Sequence, residues 1–485
     1  MNDWRDPATG SIKYLQHILQ LFGLKRQDID NGLDVLVNPN NLDEDALARV
    51  VGGGLLLAIQ PTQSFCGSLG ITKIESPKFG TTGFNELFSG ADGVSYRTLH
   101  PFFCFEGQGV GLVMDAEERA VWFFSSQGAG GILLIGTELI ADLVRYRQGD
   151  PEKAKNRPHE TIWDIAGERP VYLFQNQIAD IPKYQERQAD FWAMMLTRYI
   201  AEKISAQLLP ILPGDAPGAV VITGDDDQAY LEKYAEQLAL LGDTPITYFL
   251  HPLTRHTPQT LRKMLGKPSV DLGIHPDALE SPHQYARLLK NQCSWFQSLV
   301  GKRASSVRNH GYLNDGYWGH LEPWLEEGIS FSTNIPGLDG CALNGSLLPA
   351  KVFKDNILSK HWSVVTAIGD GFRYVNGGRS EEEAAQCILN LAAAIRRSGI
   401  PGVIVLNLHP QNIGDTRSMH IAALEVIRSG FVAWSMRDCH LWFENMTSDT
   451  EEPSMRPASA RWWTRLAKLF RHQGVGQVTG ADGGK

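Results

Sequence analysis

Cysteine, positive charge in excess and long apolar runs are what this chain of 485 residues has least of. Its six cysteines (Cys66, Cys104, Cys293, Cys341, Cys387 and Cys439) are scattered and form no C-x-x-C pair. That spacing argues against a disulfide framework or a zinc–thiolate site and fits reduced, mostly buried thiols. A net charge of −9 leaves no basic surplus to neutralise phosphates, so no nucleic-acid partner is expected. No run approaches the roughly 18 apolar residues that span a bilayer. The start, Met1 to Asp6, lacks the basic, apolar, small-residue order of a signal peptide, and the expected location is cytoplasmic. Internal repeats and low-complexity tracts are absent too. What is present is ordinary globular material: 43% hydrophobic, 20% charged and 9% aromatic residues, enough for a sizeable core. The length suggests two or three domains.

Proline and glycine punctuate the chain most densely at Leu209–Gly218, after a helical stretch from about Tyr184 to Leu208, which marks a domain entry. Before this seam, the apolar runs Leu33–Val37, Gly53–Ile59, Ala120–Phe124 and Gly131–Gly136 read as buried strands. Helices are expected at Asp43–Val51 and Glu138–Tyr146, so residues 1–210 form an α/β sheet domain. After the seam, strands are expected at Val220–Thr223, Ile246–Leu250, Val270–His275, Ser305–His310, Ile329–Asn334, Trp362–Ile368, Val403–His409 and Phe431–Ser435. Helical patterns at Ala229–Leu241, His283–Val300, Tyr317–Glu327, Glu381–Arg397 and Ile421–Arg428 alternate with them. Some eight β–α units over residues 215–450 imply a (β/α) barrel, distorted or incomplete. The fold class is therefore α/β: a distorted barrel preceded by an α/β sheet domain.

Three consecutive acids, Asp225, Asp226 and Asp227, follow the apolar run Gly218–Ile222. Adjacent carboxylates repel, and a bound cation is the usual compensation, although an Asp-rich turn before the helix starting near Ala229 would also use them. In a βα barrel the chemistry sits where strands end. Those positions hold the three acids, then His275, Arg308, His310 and His409. One carboxylate and two neutral imidazoles make a three-ligand site with open positions, suited to zinc or another late first-row dication. A second carboxylate would serve as general base, a protonated histidine would assist the leaving group, and an arginine would keep the base ionised.

Thr223-Gly224-Asp225-Asp226-Asp227, Asp271–His275, Arg308-Asn309-His310-Gly311-Tyr312 and Leu406-Asn407-Leu408-His409, in that order, resemble the successive motifs of the polysaccharide deacetylases, carbohydrate esterase family 4. The resemblance spans roughly residues 215–445. It implies a barrel of the deacetylase type and metal-dependent removal of N- or O-acetyl groups from an acetylated saccharide. By position it makes Asp225 the base, Asp226 a metal ligand, His275 the first histidine ligand, Arg308 the partner of the base and His409 the general acid. One divalent ion, zinc first among candidates, is the implied cofactor. The chain departs from the family where a second histidine ligand, four residues after the first, is replaced by Leu279. His310 at a strand end is the favoured third ligand, with His283 the alternative. Gly224 stands where the family has an aromatic.

Residues 44–59 and 128–136 resemble the helix, glycine turn and strands of class I glutamine-amidotransferase-like domains. The nucleophile turn is missing, since Ser64-Phe65-Cys66-Gly67-Ser68 lacks its first glycine and no base follows. Cys66 is expected to be a buried thiol and the domain non-catalytic. At the other end, Trp462, Leu466, Leu469 and Phe470 share one helical face, with Arg461, Arg465, Lys468 and Arg471 largely opposite. Residues 455–485 thus read as a basic amphipathic helix and tail. They offer a peripheral membrane contact through residues 458–472, a dock on the body or a homodimer contact. The leading function is a metal-dependent deacetylase. The competing readings are a degenerate barrel that binds saccharides or a partner, and, last, a glycosidase using paired carboxylates.

Overall fold

The computed structural model describes residues 7–75, 85–89, 95–149, 151, 187–314, 316–336, 345–371 and 380–448; Cys341 and the amphipathic segment 455–485 lie outside them. Among the described residues, two sheets, each of nine strands, organise the fold. The first begins with β1 (Leu33–Val37) and β2 (Leu55–Ile59). It continues through β3 (Thr72–Glu75), β4 (Asn85–Ser89), β5 (Ser95–Thr98), β6 (Phe103–Glu106) and β7 (Val110–Met114), and closes with β8 (Ala120–Gln127) and β9 (Gly130–Ile135). Its order is β1-β2-β9-β8-β7-β4-β5, with β3 and β6 paired beside β8. β1, β2 and β9 are parallel, and the rest are antiparallel. The apolar runs expected before the seam are all strands. The antiparallel strands β3 to β7 were not anticipated, because their short, mixed stretches show no clean period. Burial raises the Cys66 thiol to about 11, Lys73 offsetting it only in part, so at neutral pH it is protonated.

The second sheet holds β10 (Gly218–Asp225), β11 (Ile246–Leu250), β12 (Val270–Ile274), β13 (Ser306–Val307), β14 (Phe331–Pro336), β15 (Ala350–Lys354), β16 (Ile357–Gly369), β17 (Gly402–Asn407) and β18 (Val432–Trp434). Seven of these, β10-β11-β12-β13-β14-β16-β17, are parallel and close on β10 as a barrel. Every residue of β10, β11, β12, β14 and β17 is buried, as strands covered on both faces must be. The eighth expected strand exists but is not a stave. β11 pairs with Ile222 to Asp225 at the upper end of β10, and β18 takes the vacated edge at Ala219 to Val221. Helices cover the ring at Leu231–Leu241, Tyr285–Val300, Leu321–Glu326, Glu381–Ser398 and Arg417–Arg428. The longest starts with a reciprocal Ser380/Glu383 cap and stops at Gly399, whose left-handed φ of 63° suits glycine.

The two sheets are joined by polar and apolar contacts. An unanticipated helix, Pro7–Leu21, lays Tyr14 on Phe353 and His17 on Trp362, against the antiparallel β15–β16 hairpin. A Cβ at Gly10 would fall 1.8 Å from the Asn356 carbonyl oxygen in that hairpin's turn, so only glycine lets the helix sit there. Asp190, fully buried, accepts from Arg147 (2.9 Å), Arg187 (2.8 Å), Ser346 (2.8 Å) and the Leu347 amide (3.1 Å). Arg187 reaches on to the Ile400 and Pro401 carbonyls. The seam itself is pinned by Leu209 N–H to Gly23 O and by Trp442 Nε1–H to Ile211 O.

Two buried histidines make stability depend on pH. His320 stacks on Tyr285 and accepts from Asn309, while His361 donates to the Ile329 carbonyl and accepts from Ser332. Burial pulls their pKa values from 6.5 down to about 3 and about 4. Between 6.5 and those values these two side chains bind more protons in the unfolded chain than in the folded one, so their contribution to stability is full above pH 6.5 and declines as the pH falls toward 4. Each histidine adds up to ~1.4 kcal/mol per pH unit in that window. Urea midpoints between pH 7.5 and 4.5 should fall accordingly, and His361→Gln should flatten the slope. An unchanged slope in that variant would remove His361 from the account.

Candidate active site

Each of the seven staves carries a polar residue at or within two residues of its carboxyl end, at the mouth of the barrel. Asp225 closes β10, with Asp227 two residues on; His251 follows β11 and His275 follows β12. Arg308 and His310 follow β13, Asn334 lies near the end of β14, Asp370 follows β16, and Asn407 and His409 end β17. Strand alternation turns Thr223 and Asp225 to the same side, where both meet Arg308.

Arg308 is fully buried. Its Nη1 donates to Asp225 Oδ1 (2.8 Å), Nη2 to Thr223 Oγ1 (2.7 Å) and Thr366 Oγ1 (3.3 Å), and Nε to the Thr333 carbonyl (3.3 Å). Asn407 Nδ2 donates to the other Asp225 oxygen at 2.8 Å. Burial alone would raise the Asp225 pKa. The Arg308 guanidinium, with His275 and His409, outweighs that and holds the carboxyl below its usual range.

The acids after β10 part company. Asp226 turns away from the mouth: its carboxylate accepts from the Tyr234 hydroxyl on the next helix and from the His251 amide at 3.3 Å. Asp227 and Gln228 then take left-handed backbone angles (φ 39° and 61°), sparsely populated for non-glycine residues. That turn brings Asp227 back over the mouth. Asp227 Oδ1 lies 3.3 Å from His275 Nε2 and 3.7 Å from His310 Nε2, and Asp227 Oδ2 lies 3.4 Å from His409 Nε2. Asp227, rather than Asp226, is therefore the acid of the triplet that faces the histidines. Asp226 instead ties the loop to the Leu231–Leu241 helix.

His275 Nδ1 is 2.6 Å from the Arg308 carbonyl oxygen, which can only accept, so Nδ1 carries the hydrogen and Nε2 is left to face Asp227. His310 occupies the third corner. His283 is exposed and bonds to Gln284, and Leu279 packs against the apolar core, so neither joins the group. Burial would raise the Asp227 pKa, yet the closeness of His275, with His409 and His310, holds it far below the carboxylate range.

These residues fit a dication. Asp227 Oδ1 is buried without a hydrogen-bond partner among the described residues, and it, one nitrogen of His275 and one of His310 lie within 4.8 Å of one another. Separations of 3.3 and 3.7 Å bracket the ~3.4 Å edge of a tetrahedron with bonds of about 2.1 Å. One carboxylate and two imidazoles is a donor set that zinc accepts.

Opposite Asp225 stands a pair with only one half expected. His409 Nδ1 is 2.5 Å from Asp370 Oδ1, the His409 amide donates to Asp370 Oδ2 at 2.8 Å, and His409 Nε2 points at Asp225 Oδ2 at 3.6 Å. Burial would lower the His409 pKa, but Asp370 first, then Asp225 and Asp227, raise it to about 10. Asp370 and Asn407 were missed, though each ends an apolar strand and that position was the available signal. Gly224 also has a reason here: a Cβ would lie 2.7 Å from the Leu408 carbonyl oxygen, so an aromatic side chain has no room.

The loops that follow β10 and β11 carry Tyr230 (62% exposed), Leu253 and Arg255. The Arg255 guanidinium lies 4.2 Å from the Tyr230 ring centroid, and its Nε donates to the Gln228 carbonyl at 2.8 Å.

No protein-family model matches this chain, and no curated protein matches its sequence. Among solved structures it is similar to a probable polysaccharide deacetylase from Pseudomonas aeruginosa PAO1, at 14% identity and a TM-score of 0.40 over 53% of this chain and 98% of that one. It is also similar to the chitin deacetylase of Colletotrichum lindemuthianum, at 17% identity and a TM-score of 0.33 over 48% of this chain and 91% of that one. A third similar structure is Bacillus subtilis PdaA, a family 4 carbohydrate esterase, at 13% identity and a TM-score of 0.31 over 50% of this chain and 88% of that one. The likeness to polysaccharide deacetylases thus covers about half the chain at low identity. Among the described residues, no helix is long and apolar enough to cross a membrane.

Proposed function

We propose that this chain is a hydrolase that removes an acetyl group, N- or O-linked, from a saccharide, with one divalent ion, zinc first, held by Asp227, His275 and His310. The observation that carries the reading is the three-sided arrangement of that donor set, the Asp225–Arg308 pair and the His409–Asp370 pair at one barrel mouth. A divalent ion there supplies Lewis acidity, polarising an acyl carbonyl and making a water easier to deprotonate. Asp225 takes the proton of the water whose oxygen bonds to the acyl carbon, its carboxylate kept ionised and oriented by Arg308 and Asn407, and the bond from that carbon to the sugar nitrogen or oxygen then breaks. His409 is cationic at neutral pH because Asp370, with Asp225 and Asp227, raises its pKa to about 10, so Nε2 carries a proton as well as Nδ1 and delivers it to the departing nitrogen or oxygen. The Arg255 guanidinium covers one face of the Tyr230 ring, and the exposed remainder of the ring with that guanidinium suits the CH face and hydroxyls of a sugar, which supports a saccharide over a simple acyl compound.

A barrel that only binds sugar is the competing reading, favoured by Leu279 in place of a ligand. Elemental analysis and acetate release from N-acetylhexosamine oligomers and O-acetylated glycans separate the two. Expected are one zinc or similar ion per chain, lost in Asp227→Ala and His275→Ala but kept in Asp226→Ala, and turnover that stops in chelator and returns with zinc. Metal-free protein that releases no acetate from any of these would sink the hydrolase.

A further inference from the structure

His310 is the least enclosed member of the donor set, with 31% of its side chain exposed, on a turn where Gly311 and Tyr312 are both left-handed. Something must hold its ring, and must decide which nitrogen keeps a lone pair. We infer that Asp277, itself oriented by His251, is the positioning residue that makes His310 a ligand through Nε2; the inference rests on the metal reading above.

Asp277 Oδ2 lies 3.4 Å from His310 Nδ1 on the ring edge opposite Nε2. His310 Nδ1 is buried and makes no other hydrogen bond among the described residues, and an ionised carboxylate 3.4 Å away only accepts, which favours the hydrogen on Nδ1 and a lone pair on Nε2 facing Asp227. Asp277 is fixed in turn. Its Oδ1 accepts from the Leu279 amide (3.0 Å), its own amide donates to Gln292 Oε1 (2.9 Å), and Gln292 Nε2 donates to its carbonyl (2.7 Å). Its Oδ2 also meets His251 Nε2 at 3.2 Å.

His251, Asp277 and His310 are themselves close enough to hold a second ion. The hydrogen bonds argue otherwise. His251 Nδ1 accepts from the Leu253 amide at 3.1 Å, so Nε2 bears the hydrogen and donates to Asp277, leaving no lone pair for a metal. Two donors, from Leu279 and His251, thus bond the two oxygens of one carboxylate, and His310 Nδ1 stands 3.4 Å from the second of them. Asparagine there offers one oxygen and an NH₂, which sets a donor against a donor and loosens or inverts the His310 ring. Orienting partners of metal-bound histidines typically govern affinity by about 10–100-fold.

The test uses the full-length protein, zinc as the probe, and chelator competition for affinity. Wild type should bind one zinc, and His310→Ala should lose most of that affinity. Asp277→Asn should bind about 10–100-fold more weakly with the metal-free urea midpoint little changed. A cobalt-substituted Asp277→Asn protein should show an altered visible spectrum. His251→Leu should weaken zinc in the same direction, and His251→Gln, which restores an N–H donor near the Nε2 position, should recover it. If Asp277→Asn misfolds, the His251 pair carries the test. Wild-type affinity in Asp277→Asn, with His310→Ala impaired, overturns the positioning role alone. Two zincs per chain, one lost in His251→Ala, would mean a second ion site instead. No zinc in the wild type overturns the metal reading and this inference together.

Discussion

Asp225→Asn should lower kcat for acetate release by about 10²–10⁴-fold while zinc remains bound. The side chain keeps its shape but loses the ability to take a proton, and Asp225 is not among the residues whose donor atoms surround the candidate ion. Affinity for the ion should therefore stay near wild type, which distinguishes this variant from Asp227→Ala. Because Arg308 would lose its counter-charge, rates must be expressed per native molecule, judged by near-UV circular dichroism. A native Asp225→Asn protein with wild-type kcat would remove Asp225 from the reaction and pass the role of base to Asp227, the only other carboxylate of the triplet at the mouth.

The second large effect concerns the fold. Arg308→Met should cost about 3–5 kcal/mol of stability, because it leaves the Asp225 carboxylate buried without its cation. Asp225 is only 2% exposed and Arg308 not at all, so water cannot replace either partner. Arg308→Lys should recover little. A single ammonium cannot serve Asp225, Thr223, Thr366 and the Thr333 carbonyl at once. The Asp225→Asn/Arg308→Met double variant should be more stable than the sum of the two single losses predicts, since neither charge is then left alone. Urea denaturation of the four proteins measures this directly. Additive losses would mean that the pair does not interact energetically, whatever its geometry.

Much of the barrel was legible in the chain because parallel strands covered on both faces must be continuous apolar runs, and Ile246–Leu250 was read to the residue. The strand ends were equally legible as the place for chemistry, and His275, Arg308, His310 and His409 do meet there with Asp225. Legibility failed where local pattern is silent. The stretch from Thr72 to Met114 alternates too briefly to show a period, and its pairing is non-local: β4 finds β7 and β3 finds β6. The β15–β16 hairpin did carry a signal, Asp355-Asn356, whose left-handed angles (φ 50° and 60°) suit a tight turn.

Residue order alone determined that an acid triplet, three histidines and an arginine would sit at the carboxyl ends of staves in one barrel, since hydrophobic runs dictate strands and parallel closure gathers their ends. Only the tertiary structure decided which acid faces the histidines, because two left-handed residues after β10 reverse the chain and no propensity announces them. It also decided what surrounds each group: Asp370 behind His409 and Asp277 behind His310 come from other staves or loops. Their distances are set by barrel closure, which sequence spacing does not encode.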